Sequence, residues 1–183
     1  MSSNPKIDVS RFIKQKGNTC GAHSIYNYLV LTNKIAFNQD PADQKTAIAT
    51  IYQQITSSQT GEAALPNLML AFLKKNGAAV ALHGSEERQS SLGNICRQLR
   101  IPETITYSET PFSTALPKDA YGIALWNTTE EFPSLTQLAT MHYTVVYKNA
   151  RGDIYALDSN CPAEGWQSVG PQFTLHFMGL LFA

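Results

Sequence analysis

Cys20, His142 and Asp158 are the residues of this chain whose types and settings suit nucleophilic chemistry. Cys20 lies in the stretch from Gln15 to Leu31 (QKGNTCGAHSIYNYLVL), which reads as a loop feeding directly into a helix. Gly17 and Asn18 are turn formers, and Asn18 or Thr19 is placed to cap the first amides. Ala22, Ile25, Tyr26, Leu29 and Val30 then recur at helical spacing, which predicts one buried stripe and puts Cys20 in the first turn. Unpaired amides and the positive end of the helix dipole favour a thiolate there. A small buried cysteine near a helix start fits the same stretch, because unlinked cysteine is among the most buried residue types. The stretch alone supports both readings. A nucleophile also needs a base from elsewhere in the chain.

The segment from His142 to Asp158 offers that base. Two apolar-rich runs, HYTVVYK and DIYALD, flank Asn149-Ala150-Arg151-Gly152, a turn with glycine where a left-handed residue is wanted. With the turn centred on Ala150, His142 and Asp158 face one another directly across a hairpin, on the same side. A one-residue slip of register sends them to opposite faces. The chemical division is simple: the imidazole takes the thiol proton, and the carboxylate fixes its tautomer and stabilises the imidazolium. His23, three residues after Cys20, comes near the thiol but has no evident orienting carboxylate. His83 ends a strand, and His176 alternates with Thr174 and Met178, so both read as structural. Cys96 and Cys161 also read as structural, although Cys161 precedes Pro162 in a loop where a redox or surface role is open.

These residues need elements to hold them. Asp40-Pro41 starts a second helix that runs to about Thr56, with Ile48, Ile51, Tyr52 and Ile55 on one face. A third begins near Pro66 and stops at Asn76-Gly77. Beyond it, 78–83 is a short candidate strand and 85–99 a candidate helix interrupted by Gly93. The runs 121–126, 142–148, 153–158 and 173–182 are β-branched or aromatic and bounded by turn residues. The segment 100–120, with Pro102, Pro111 and Pro117, is the sizeable irregular stretch. Helices first and strands last predict an α+β fold with a mostly antiparallel sheet.

The 183 residues fit a single domain, 1–183, with a helical part at about 15–76 and a sheet part at about 121–182. A hydrophobic fraction of 43% against 15% charged residues is that of an ordinary globular protein. Lys+Arg and Asp+Glu both number 14, so no basic excess points to nucleic acid or an anionic membrane. No stretch approaches the ~20 apolar residues of a spanning helix, and the N-terminus lacks an apolar signal core. Three cysteines without a CxxC spacing argue against a disulfide framework or a zinc ribbon. The expectation is a monomer without metal or cofactor, resident in a reducing cytoplasm or exported by a dedicated secretion system.

The order of Gln15, Cys20-Gly21 opening a helix, then His142 and Asp158 on late strands resembles the papain-like cysteine peptidases. Within them the chain is most similar to the compact bacterial branch that cleaves double-glycine leader peptides, and to papain-fold bacterial effectors. QKGNTCGAHSIYNYL, MHYTVVY and DIYALDSN carry the likeness, over residues 15–160. The resemblance implies Cys20 as nucleophile, His142 as base and Asp158 as orienter. It also implies Gln15 as an oxyanion-hole amide alongside the Cys20 backbone amide. The leader peptidases usually place that glutamine six residues before the cysteine, and here it stands five before.

Two classes of function follow. One is a thiol hydrolase acting through an acyl-thioester on a protein or peptide, foremost a cysteine peptidase of restricted specificity. A glutamine deamidase or an acyltransferase shares that intermediate and differs in what enters and leaves the pocket. The other class is a binding module that kept the fold and lost the activity. A full Cys, His and Asp set argues against it, because a retired site has no physical need for all three.

Overall fold

Local sequence decides where the three helices begin. Asp40 accepts the Ala42 amide at 2.8 Å, Pro41 takes the first helical position, and α2 runs Pro41–Ile55. Pro66 opens α3, Pro66–Lys75, which ends at Asn76 before Gly77, whose φ of +77° suits glycine. The cysteine helix is α1, Cys20–Leu31. The structure is a computed structural model, and it describes residues 7–56, 64–85, 105–108, 115–126, 142–169 and 177–183.

α1 departs from the single buried stripe that its spacing predicts. Every residue from Cys20 to Val30 is buried, including the polar His23, Ser24 and Asn27. The cause is enclosure: α2, α3 and the sheet all pack against this one helix. Gly21 lets α3 come close. A Cβ at this position would lie 2.5 Å from the Ala64 Cβ and 3.5 Å from the Met69 sulfur. The Cys-Gly pair thus has a packing reason as well as a chemical one.

Seven strands form one sheet among the described residues. They are β1 (Leu82–Ser85), β2 (Ile105–Ser108), β3 (Ala120–Trp126), β4 (His142–Lys148), β5 (Ile154–Leu157), β6 (Gln167–Ser168) and β7 (Phe177–Phe182). Their order is β2-β1-β7-β3-β4-β5-β6. β1 and β2 pair in parallel and every other pairing is antiparallel. The fold is therefore α+β with a mostly antiparallel sheet. Alternating side chains split the core. Ile123, Val145, Leu157 and Phe182 pack toward the helices, while Ala124, Val146, Ile154 and Leu181 form a smaller cluster with Leu116. Each fully buried Leu or Ile is worth about 1.5–3 kcal/mol.

Three elements lie elsewhere than the sequence predicts. The strand expected over 78–83 starts at Leu82, and only Ala81 before it joins the sheet, through a reciprocal pair of backbone bonds with Ala183. β2 lies in the stretch read as irregular, so the sheet draws on chain well before residue 121. β6, two residues long, has no periodicity to announce it. Ser85, where a helix over 85–99 is expected to begin, ends β1 instead; the rest of that helix, Cys96, His176 and the first part of the strand expected over 173–182 lie outside the described residues. Among the described residues no helix is long and apolar enough to cross a membrane.

Candidate active site

Cys20 is the first residue of α1 and is 8% exposed. The residue before it, Thr19, occupies the cap position without capping: its hydroxyl donates to the Lys16 carbonyl at 2.8 Å. The sequence expectation of an Asn18 or Thr19 side-chain cap gives way to this local turn, which leaves the first-turn amides to other acceptors. The His23 amide makes the first backbone bond of the helix, to the Thr19 carbonyl.

His142 opens β4, where the first turn of α1 meets the sheet. A Cβ on Gly21 would stand 3.5 Å from the Tyr143 ring. The Cys20 thiol and the His142 imidazole are hydrogen-bonded. On its other side the ring places Nε2 at 2.7 Å from Asp158 Oδ1. That bond commits Nε2 to the carboxylate and turns Nδ1 toward the sulfur. The Asn160 amide donates to the same Oδ1 at 2.8 Å and fixes the carboxylate in turn.

The two residues meet by a different route from direct opposition. Val145 pairs with Leu157 and Lys148 with Ile154, so the next rung sets Thr144, not His142, opposite Asp158. The hairpin centres on Arg151, one residue later than predicted. Asn149 is the cause: its Oδ1 accepts from the amides of both Gly152 and Asp153, drawing Asp153 into the turn. Gly152 adopts φ +101° there. Moving the centre by one residue moves each partner by two, which preserves the face. His142 and Asp158 are therefore diagonal neighbours on one side.

Electrostatics follow from these contacts. Burial alone would lower the His142 pKa. The hydrogen bonds to Asp158 and Cys20, with their charges, outweigh it and push the imidazole up to about 9. Burial would raise the Asp158 carboxyl, but the His142 bond and the Asn160 amide hold it below the usual carboxylate range. His23 contrasts with both. It is 4% exposed, burial pushes it down to about 4 against a hydrogen bond to the Ile13 carbonyl, and its Nδ1 has no partner among the described residues.

Gln15 sits beside the site, held in a way the sequence does not reveal. Its amide N–H donates to the Ser159 carbonyl at 2.9 Å, and the Ser159 hydroxyl donates to its Oε1. Its Nε2 reaches the Gly17 carbonyl at 3.5 Å. The side-chain bonds of Gln15 thus run to Ser159 and Gly17. Its placement next to Asp158 is clear, while its amide is turned to its own loop.

Several neighbours escape sequence reasoning. Ser159 ties Gln15 to the orienter across 144 residues, and the polar run after Asp158 signals only a turn. Trp126 pairs directly with His142 across β3 and β4, setting an indole beside the imidazole. Tyr143 is buried against the first turn of α1. Burial, then the nearby Cys20, raises its phenol, whose hydroxyl has no partner among the described residues. Cys161 donates its amide to the Asp158 carbonyl at 3.1 Å, and neither it nor Cys20 forms a disulfide. His83 lies on β1, opposite Thr106 and Leu181, away from these residues. Comparison of the chain with known proteins finds no matching family model and no matching curated protein.

Proposed function

We propose that the protein is a thiol hydrolase of the papain-like type, foremost a cysteine peptidase of restricted specificity. The observation that carries this reading is the continuous chain from the Cys20 thiol through the His142 imidazole to Asp158, closed by a 2.7 Å bond. A nucleophile at the start of an enclosed helix, with the base opening β4 and the orienter one residue past the end of the adjoining β5, supports the papain-like assignment of the α+β fold.

The chemistry runs in two halves. The thiol proton passes to His142 Nδ1 and the sulfur attacks the amide carbonyl carbon. Negative charge collects on the carbonyl oxygen, where the α1 terminus and its backbone amides stabilise it. His142 then donates the proton to the leaving nitrogen, the C–N bond breaks, and an acyl-thioester remains. Water, deprotonated by His142, attacks that ester. The acid leaves and the sulfur takes the proton back. Asp158 keeps Nε2 protonated throughout and stabilises the imidazolium at each transfer. Gln15 joins the oxyanion site only if its amide turns from the Gly17 carbonyl when substrate binds.

The test is intact-mass analysis of candidate protein substrates incubated with the wild-type chain and with Cys20→Ala. Backbone fragments made only by wild type support the peptidase. An uncleaved product converted from amide to acid replaces it with a glutamine deamidase using the same residues. Equal turnover by Cys20→Ala removes the enzyme reading.

A further inference from the structure

The loop Ile13–Lys16, the first turn of α1 and one face of α2 enclose a pocket of about 430 Å³, within the size range of small-ligand sites. Its apolar surface comes from Ile13, Ile48, Ala49 and Tyr52. The charged residues lining it are Lys14, Lys16 and Lys45, all exposed and in no ion pair among the described residues. Asp40 and Asp43 lie at the same end of α2, but Asp40 caps Ala42 and Asp43 accepts from Asn38, and neither lines the pocket. The chain carries 14 basic and 14 acidic residues, so this one-signed lining is a local concentration and not a general excess.

The walls are built rather than incidental. Buried Gln44 accepts from the Ile13 amide at 3.2 Å and donates to the Arg11 carbonyl at 3.1 Å, pinning the loop to α2. His23 also lines the pocket; its ring is buried and its Nδ1 has no hydrogen-bond partner among the described residues. Thr19, the residue before Cys20, is part of the wall, so an occupant lies against the turn that carries the nucleophile.

We propose that this pocket is a substrate subsite that takes an apolar side chain flanked by aspartate or glutamate on the substrate polypeptide. The assignment rests on the thiol-hydrolase reading. The floor accepts one hydrophobic side chain, and the lysines, on two separate segments, suit more than one carboxylate. A fatty acid offers a single carboxylate and leaves ammonium groups unmatched. Acidic flanks make binding salt-sensitive.

Fluorescence anisotropy on the Cys20→Ala chain tests this without turnover. The probe is a labelled pentapeptide with central leucine and two acidic residues on each side; its counterpart carries asparagine and glutamine instead. The acidic peptide binds about tenfold tighter or more, and Lys14→Glu with Lys45→Glu removes that advantage. Ala49→Trp, at an exposed helix position, fills the pocket and abolishes binding. Equal affinity for the two peptides, or binding that survives Ala49→Trp, overturns the proposal. Laurate that binds where the peptide does not overturns it in favour of a small amphiphile. Iodoacetamide labelling of the wild-type chain separates the layers. Selective Cys20 alkylation without peptide binding overturns the subsite alone. Peptide binding without selective alkylation overturns the enzyme reading and, with it, the assignment as a substrate subsite.

Discussion

His23 and His142 both neighbour Cys20, and their surroundings push them in opposite directions. His23 is three residues along α1, enclosed, with one backbone acceptor and no carboxylate, and its pKa falls to about 4. His142 is also mostly buried, yet Asp158 and Cys20 reverse the effect of burial and raise it to about 9. Proximity in sequence therefore does not make a base. What separates the two rings is the carboxylate, which together with the Cys20 sulfur offsets the cost of burying a charged imidazole.

Removing each imidazole in turn has the largest expected effect. His142→Ala should lower turnover by about 10³-fold, while His23→Gln, which keeps a donor toward Ile13, should stay within a few-fold. Steady-state kinetics on any substrate found by mass analysis measures both. Equal losses would erase the distinction. Asp158→Ala should cost about 10²-fold and leave residual activity, since an orienter contributes less than the groups it serves.

Stability against pH separates the histidines next. The folded pKa of His142 is raised, so its contribution is complete below about 6.5 and is lost as pH rises through about 9. The folded pKa of His23 is lowered, so the fold is unaffected above about 6.5 and loses stability as pH falls toward 4. Asp158 adds an acid-side loss of its own, below the usual carboxylate pKa. Urea denaturation across pH should show His142→Ala flattening the limb between 6.5 and 9. His23→Gln should flatten the limb between 4 and 6.5. Each change is about 1–2 kcal/mol, the His142 figure being reduced for that ring's partial exposure.

The smallest effect concerns the turn that both imidazoles neighbour. Gly21→Ala places a Cβ 2.5 Å from Ala64, and either α1 or the Ala64 segment must shift. The cost should be about 1 kcal/mol, seen as a lower Tm, with slower Cys20 alkylation as the sulfur moves from His142.

The sequence makes local features of this site legible and hides those assembled over distance. Asp40-Pro41 and Pro66 announce α2 and α3, and the aromatic and β-branched runs announce β3, β4 and β5, because each signal lies within its own element. Cys20 at a helix start and His142 sharing a face with Asp158 are legible for the same reason. Register is less so: Asn149 bonds two successive amides and moves the hairpin centre by one residue, a detail the turn composition does not fix. The Gln15–Ser159 contacts and the lysine-lined pocket depend on segments brought together only by folding. β2, a short parallel edge strand between Pro102 and Pro111, alternates over only four residues and has no hairpin turn to mark it.

The proposed chemistry depends first on the coupling between the Cys20 sulfur and His142. Iodoacetamide alkylation near pH 7, resolved by residue with mass spectrometry, measures it in wild type and in His142→Ala. Cys20 should be modified well ahead of Cys161 in wild type despite being the more buried of the two, and that lead should vanish in His142→Ala. Alkylation of Cys161 first, or a Cys20 lead that survives the loss of the imidazole, would contradict it.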